Sequence, residues 1–316
     1  MTRCLAFALA ATALLSAGCK RSGGGVAGGT HVAASPAPPF DQNAAFALLE
    51  QQVAFGPRVP NTPAHQKQLD WMVQYLKQRA DTVILQPFTA TTPKGETLHL
   101  TNVIARFKPA ASDRVLLLAH WDTRNTADND PDSALRATPI PGANDGASGV
   151  AVLMELADVL KKHSPPIGVD LLFDDGEDYN GNMYAGSQYF AQTWGASYHP
   201  LYGILLDMVG DQNPSFPIEP SSQQYAPEVV QRVYDMADTL GLGQYFPRSP
   251  GIDIDDDHIP LNKAGIHTID IIDFNYGPSG DDNTYWHTHQ DTVAHTSPLG
   301  LGVVGRVVAG LIYSGG

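Results

Sequence analysis

From residue 40 onward the chain alternates short unbroken runs of apolar residues with longer stretches in which apolar residues recur at helical spacing. The run at 115–119 is continuous, which is typical of a strand buried on both faces. Across 147–162 the apolar residues recur near i, i+3, i+4 spacing, which predicts a helix. The other predicted strands are 169–173, 203–209 and 267–272, and the other predicted helices are 63–79, 187–194, 227–240 and 299–313. This alternation predicts an α/β fold, a single globular domain with a mostly parallel, mixed twisted sheet and helices on both faces.

Charged and imidazole side chains stand at the ends of the predicted strands. His120 and Asp122 follow the strand at 115–119, the acidic run 174–178 follows the next strand, and Asp207 lies near the end of the strand after that. Ligands of open α/β sheets bind beyond the carboxyl ends of the parallel strands. We therefore expect these side chains to meet at one edge of the sheet.

The N-terminus predicts export. Arg3 supplies a positive charge, and the apolar stretch 5–15 has the length of a signal-peptide core and is too short to span a bilayer. The small residues before Cys19 resemble a bacterial lipobox, in which the cysteine is lipidated. We therefore predict a signal peptide over 1–18 and a lipid on Cys19, which implies a periplasmic or outer-membrane-anchored lipoprotein of a Gram-negative bacterium. Plain secretion after cleavage near Ala17 is the alternative.

Residues 19–39 are rich in Gly, Ala, Ser and Pro and predict a flexible tether to a folded domain at 40–316. The two cysteines, Cys4 and Cys19, both precede that domain, so cysteine nucleophiles and thiolate metal ligands are excluded from it. No later stretch approaches about 18 consecutive apolar residues, so no transmembrane helix is predicted. We expect the membrane to be reached only through the N-terminal lipid.

The charge of the chain limits its partners. The 316 residues include 33 acidic and 19 basic side chains, for a net charge of −14. Nucleic-acid binding requires Lys and Arg to neutralise phosphates, so this charge disfavours a nucleic acid as partner. A monomer is the simpler expectation for the oligomeric state.

Eight acidic and imidazole side chains could converge at the sheet edge: His120, Asp122, Asp145, Glu177, Asp178, Asp207, Asp256 and His287. Clustered carboxylates repel one another unless they are protonated or neutralised by a cation. Imidazole and carboxylate ligands without cysteine suit a catalytic zinc ion with one open position. Simpler interpretations exist for single residues: Asp145 as a helix N-cap, 174–178 as an acidic surface turn, and His287 as an ordinary loop histidine. The common placement of all eight favours a metal site.

Three segments carry a family resemblance: 142–149 (Gly-Ala-Asn-Asp-Gly-Ala-Ser-Gly), 175–178 (Asp-Gly-Glu-Asp) and 286–291 (Trp-His-Thr-His-Gln-Asp). They resemble the zinc aminopeptidase superfamily. Segments 206–217 and 256–260 narrow the resemblance to the metal-dependent glutaminyl-peptide cyclotransferases of animals and bacteria. The resemblance covers nearly all of the folded domain, which it identifies as a zinc-dependent catalytic domain.

The resemblance implies an enzyme that converts an N-terminal glutamine into pyroglutamate and releases ammonia, with peptides or proteins bearing N-terminal Gln as partners. It implies Asp145, Asp178 and His287 as the ligands of one Zn²⁺ ion. It also implies Glu177 as the general acid/base.

Three further residues match positions around the reacting groups of these cyclases. Asp207 and Asp256 would complete a hydrogen-bonded network around the reacting nitrogen, and Trp286 would line the substrate pocket. The segment 178–184 has no tryptophan, whereas animal cyclases carry one there. The lining of the pocket beyond Trp286 is therefore left open.

Two other functions compete with cyclisation. His120 and Asp207 match ligands of a second metal in the aminopeptidases, so a two-zinc aminopeptidase that hydrolyses N-terminal residues is the enzymatic alternative. Outside catalysis, the chain would be a lipoprotein that binds peptides or metal without chemistry. Glu177 argues against that reading, because it ligates nothing in the zinc site that the resemblance implies.

Overall fold

The computed structural model describes Met1 and residues 37–279 and 283–316. The predicted signal peptide, all but the last three residues of the predicted tether, and Cys19 therefore lie outside the described residues, apart from Met1. Export and lipidation stay predictions. No helix in the described ranges combines the length and the apolar character needed to cross a membrane.

One six-stranded sheet forms the centre of the domain. Its strands in chain order are β1 Thr82–Thr91, β2 Thr97–Phe107, β3 Arg114–His120, β4 Gly168–Asp174, β5 Gly203–Asp207 and β6 Thr268–Ile272. Across the sheet the order is β1-β2-β4-β3-β5-β6. β3 runs parallel to both β4 and β5, and β5 runs parallel to β6, whereas β2 is antiparallel to both β1 and β4. The predicted mostly parallel, mixed sheet is confirmed.

Helices cover both faces of this sheet, as predicted. In chain order they are α1 Gln42–Val53, α2 Pro63–Lys77, α3 Ala147–Lys162, α4 Ala185–Trp194, α5 Pro220–Tyr225, α6 Pro227–Thr239, α7 His258–Lys263 and α8 Pro298–Tyr313. The larger apolar core joins α1, α2, α3, α6 and α8 to one face, with Leu117 and Leu171 pointing into it. A smaller core joins α4 and α7 to the other face through Leu116 and Leu172.

The sheet brings the polar strand ends together. His120, Asp174 and Asp207 are the last residues of β3, β4 and β5, which run in the same direction. Helix α3 packs closely on β5, because a Cβ atom at Gly149 would lie only 2.0 Å from the carbonyl oxygen of Leu206. This close approach brings the start of α3 to the same edge of the sheet. The expected convergence of strand-end side chains is thereby confirmed.

Candidate active site

Two overlapping groups of metal-binding side chains lie at this edge. Ligand atoms of Asp145, Asp178 and His287 lie within 4.8 Å of one another, and so do those of His120, Asp145 and Asp207. His287 Nε2 is 3.5 Å from Asp145 Oδ2 and 3.5 Å from Asp178 Oδ1. His120 Nε2 is 3.3 Å from Asp145 Oδ1 and 3.2 Å from Asp207 Oδ1. Asp145 belongs to both groups and offers a different oxygen to each histidine.

The chemistry of these side chains fits a divalent cation. Asp145, Asp178, His120 and His287 are all buried, and Asp178 Oδ2 has no hydrogen-bond partner within the described ranges. A buried carboxylate oxygen without a partner is energetically costly unless a cation or a proton satisfies it. Imidazole nitrogens combined with carboxylate oxygens form a ligand set that suits zinc.

Asp145 is held by its backbone and does not cap the following helix. Helix α3 begins after Gly146, whose φ is 94° and which makes no side-chain cap, so the simpler N-cap interpretation of Asp145 is wrong. Asp291 instead fixes this turn: its carboxylate accepts the N–H of Asn144 at 2.7 Å and that of Asp145 at 3.2 Å. The hydroxyl of Tyr276 donates to the same carboxylate at 2.9 Å.

The turn that carries Glu177 and Asp178 is buried. Glu177 is 8% exposed and Asp178 is 1% exposed, so the interpretation of this run as an acidic surface turn is wrong. The Asp122 carboxylate holds this turn in place: its Oδ1 accepts the Glu177 N–H at 3.1 Å, and its Oδ2 accepts the Asp178 N–H at 3.3 Å. Gly176 precedes Glu177 with a φ of 77°, a conformation that favours glycine.

Two arginines offset part of the negative charge, and neither was predicted as a functional residue from sequence. Arg124 Nη1 donates to Asp178 Oδ1 at 2.5 Å, and its Nε donates to Asp128 Oδ1 at 2.6 Å. Arg58 is fully buried and donates to the carbonyls of Pro141 and Gly142, both at 2.6 Å. Arg124 could have been singled out from the sequence, because it is a cationic residue that closely follows His120 and Asp122 at the end of a strand.

Trp286 lies beside the candidate ligand His287. The two rings stack with centroids 3.7 Å apart, and the edge of Phe274 meets Trp286 at a centroid distance of 4.9 Å. His287 has a φ of 56°, in the left-handed region, so its backbone is held in a conformation that non-glycine residues rarely adopt. Phe274 is therefore a further aromatic residue beside Trp286, and it was not predicted from the sequence.

The carboxyl groups around Glu177 are buried together. Burial raises the pKa of Glu177 well above its usual value, and the charges of Asp178 and Asp256 raise it further. Burial and the neighbouring Asp207 likewise raise the pKa of Asp256. Asp256 Oδ1 accepts the Asp257 N–H at 2.6 Å, whereas its Oδ2 has no hydrogen-bond partner among the residues described. This edge of the sheet therefore holds carboxyl groups whose pKa values are raised by burial and by one another's charges.

The two histidines differ in their electrostatic surroundings. Burial lowers the pKa of His287 to about 4, so the ring is neutral near pH 7 and its nitrogen can bind a metal. Burial also acts to lower the pKa of His120, but hydrogen bonds with Asp122, Asp145 and Asp207 raise it well above its usual value.

Comparisons with known proteins place the chain in a family. Residues 102–312 match Peptidase family M28. The glutaminyl-peptide cyclotransferase-like protein of Mus musculus is 29% identical over 258 residues, which cover 72% of this chain and 63% of the mouse protein. The chain thus matches less than two thirds of the length of that relative.

Solved structures match the whole folded domain. The glutaminyl cyclase of Bacteroides thetaiotaomicron bound to N-acetylhistamine is 38% identical, with a TM-score of 0.84 over 88% of this chain and 99% of that chain. A Zn-dependent exopeptidase of Parabacteroides distasonis is also 38% identical, with a TM-score of 0.83 over 88% of this chain and 99% of that chain. The resemblance predicted from the sequence is therefore confirmed: the chain belongs to Peptidase family M28 and shares its fold with bacterial glutaminyl cyclases.

Proposed function

We propose that the chain is a zinc-dependent glutaminyl-peptide cyclotransferase, which converts the N-terminal glutamine of peptides or proteins into pyroglutamate and releases ammonia. The similarity to a bacterial glutaminyl cyclase at 38% identity supports this function. The observation that carries the proposal is the pair of buried carboxyl groups of Glu177 and Asp256 beside the candidate metal ligands. Neither residue belongs to a candidate ligand group, so both are available to act on the reacting groups of the substrate.

In this proposal Asp145, Asp178 and His287 hold one Zn²⁺ ion. When bound, zinc supplies a Lewis acid that polarises the γ-carboxamide carbonyl of the substrate. Arg124 donates a hydrogen bond to the side chain of Asp178, and Asp122 accepts one from its backbone N–H. Together these two contacts keep the ligand in place. His120 and Asp207 could hold a second ion with Asp145, but the cyclase proposal needs only the first.

Glu177 is the general acid/base of the proposed reaction. It accepts a proton from the α-amino nitrogen while that nitrogen forms a bond to the γ-carbonyl carbon. It returns the proton to the amide nitrogen when the carbon–nitrogen bond breaks, and ammonia leaves. A raised pKa suits a carboxyl group that must both accept and donate a proton near neutral pH.

Asp207 and Asp256 assist by holding the reacting nitrogen, and Trp286 forms a wall for the glutamine side chain. Burial raises the pKa of both aspartates above its usual value. The attack is intramolecular, so a pocket that holds the side chain in a curled conformation supplies much of the rate enhancement. The stacked pair of Trp286 and His287 places an apolar surface next to the proposed zinc.

The second candidate function is a two-zinc aminopeptidase. It is favoured by the second ligand group and by the similarity to an enzyme named as a Zn-dependent exopeptidase. Peptide hydrolysis requires Glu177 as a base but gives no role to the buried Asp256.

Assays with a glutaminyl and a leucyl fluorogenic substrate separate the two functions. We expect cyclisation of the first and no cleavage of the second; the reverse result would favour the aminopeptidase.

We further propose that the enzyme is exported and anchored through a lipid on Cys19, on the basis of the leader sequence. Expression of the full chain in a Gram-negative host tests this anchor. The wild type should sediment with membranes, and Cys19→Ala should move to the soluble fraction. Sedimentation of both forms, or of neither, would contradict lipidation at Cys19. The same proposal treats the enzyme as a monomer, which light scattering of the soluble form measures.

A further inference from the structure

The start of α4 contacts the loop that carries Asp256 on both sides of that residue. We call residues 253–257 the Asp256 loop. The hydroxyl of Tyr184 donates a hydrogen bond to the carbonyl oxygen of Asp255. The hydroxyl of Ser187 donates to Asp257 Oδ1 at 2.5 Å, and both of these groups are fully buried. Asp256 is thus flanked by two hydrogen bonds from one turn of helix.

The same turn is bonded to the loop that carries Glu177. The N–H of Tyr184 donates to the carbonyl oxygen of Glu177 at 2.9 Å, and the N–H of Ala185 donates to that of Gly176 at 3.0 Å. Tyr184 has a φ of 61°, a left-handed conformation that is costly for an aromatic residue and persists only where surrounding contacts enforce it. Tyr184 therefore links the two loops through its backbone and its hydroxyl.

The contact with Asp257 also controls the carboxyl group of Asp256. Asp256 Oδ1 accepts the backbone N–H of Asp257 at 2.6 Å, so a shift of the Asp257 backbone would move the Asp256 carboxyl group with it. The Ser187 hydroxyl holds the buried side chain of Asp257 and thereby restrains the residue against such a shift. A displacement of about 1 Å in a reacting group can reduce turnover by up to about 100-fold.

We propose that Tyr184 and Ser187 are positioning residues that fix the Asp256 carboxyl group relative to Glu177 during cyclisation. The inference rests on the proposed function, because that function assigns proton transfer to Glu177 and the holding of the reacting nitrogen to Asp256. Neither hydroxyl touches the reacting atoms, so the two residues act through the backbone and side chain of their neighbours. Their removal should reduce turnover without removing zinc.

The test uses Tyr184→Phe, Ser187→Ala and the double variant in the full-length zinc enzyme. We expect kcat to fall about 10-fold in each single variant and about 100-fold in the double variant. KM and zinc content should stay close to the wild-type values, and Tm should fall modestly in Ser187→Ala, which removes a donor from the buried Asp257 Oδ1. Tyr179→Phe is the matched control, since its hydroxyl donates to Glu96 Oε2 at 2.7 Å and does not contact the Asp256 loop. Wild-type kcat in Tyr184→Phe would overturn the positioning role.

A double-mutant cycle distinguishes positioning from a general structural effect. In an Asp256→Asn background, Tyr184→Phe should reduce kcat by less than about 2-fold further, because the carboxyl group that it positions is no longer there to hold the reacting nitrogen. If the double variant instead shows the product of the two single-variant reductions in kcat, Tyr184 acts independently of Asp256 and the proposal is overturned.

Hydrogen exchange supplies a readout that does not depend on activity. The backbone amides of the Asp256 loop should exchange faster in the Tyr184→Phe, Ser187→Ala double variant than in the wild type. Unchanged exchange would overturn the proposed restraint. A wild-type enzyme that cyclises no glutamine would instead overturn the proposed function, whatever the exchange rates show.

Discussion

The Asp122 carboxylate accepts the backbone N–H of Glu177 at 3.1 Å through Oδ1, and its second oxygen accepts the N–H of the next residue at 3.3 Å. One side chain therefore orients both the proposed acid/base and a proposed zinc ligand. A metal ligand that loses such outer support usually binds its metal about 10–100-fold more weakly.

Asp122→Ala should accordingly weaken zinc binding by about 10–100-fold and lower kcat as well. Competition with a chromophoric chelator measures the zinc affinity directly. Asp132→Ala is the control, because Asp132 is exposed and its carboxylate accepts the nearby N–H of Ala134 at 2.9 Å. Equal zinc affinity in both variants would show that Asp122 does not support the metal site.

Glu177→Gln should reduce kcat by at least about 100-fold, since an amide cannot accept and return the proton. Zinc content should be unchanged, because Glu177 lies outside both candidate ligand groups. Steady-state kinetics and metal analysis of the same preparation measure the two quantities. Unchanged turnover would remove Glu177 from the mechanism, and lost zinc would make it a ligand.

Metal analysis of the purified enzyme should find about one zinc per chain. A heterocyclic chelator should abolish cyclisation, and added zinc should restore it. His120→Ala should keep the same zinc content, because His120 belongs only to the second ligand group. A content near two zinc ions per chain, reduced to one in His120→Ala, would favour the aminopeptidase.

Glu155 should make stability depend on pH. It is buried on α3, and burial together with the charge of Asp158 raises its pKa from 4.5 to about 7. A raised pKa in the folded state means that the folded protein holds the proton more tightly than the unfolded chain. Stability from this group is therefore present below pH 4.5 and is lost as the pH rises through about 7.

Glu155→Gln removes the titrating group, so the variant does not lose this stability as the pH rises. Its Tm should exceed the wild-type Tm at pH 8 and approach it at pH 4. Thermal unfolding at both pH values provides the comparison. Glu50→Gln, an exposed change on α1, is the control and should leave Tm unchanged. A Tm difference for Glu155→Gln that does not grow with pH would contradict the predicted titration.

The central part of the fold could be predicted from the sequence because its strands are apolar throughout. Every residue of β3 and of β4 is buried, which produces the continuous apolar runs. β1 and β2 were not predicted. β1 has no buried residue, its apolar run is only the three residues 83–85, and Pro87 follows that run, so its sequence does not read as a buried strand.

The strand pattern predicted the part of the site whose residues follow strands, and the family resemblance implied the roles of Asp145, Asp256 and His287. His120 and Asp207 close β3 and β5, so the topology brings them together. Asp291 and Asn144 are 147 positions apart in sequence, and their hydrogen bond depends on how two loops meet in the folded chain. Arg58 likewise acts on carbonyl groups more than 80 positions away. Neither the hydrophobic pattern nor the composition of the chain predicts such long-range hydrogen bonds.

Mass spectrometry of one peptide with an N-terminal glutamine tests the central claim most directly. Purified enzyme with zinc is incubated with the peptide, and the Glu177→Gln variant serves as the control. The proposed function predicts that the peptide loses the mass of one ammonia molecule and keeps its full sequence, at a rate that Glu177→Gln greatly reduces. Loss of an entire glutamine residue would contradict the account and establish an aminopeptidase.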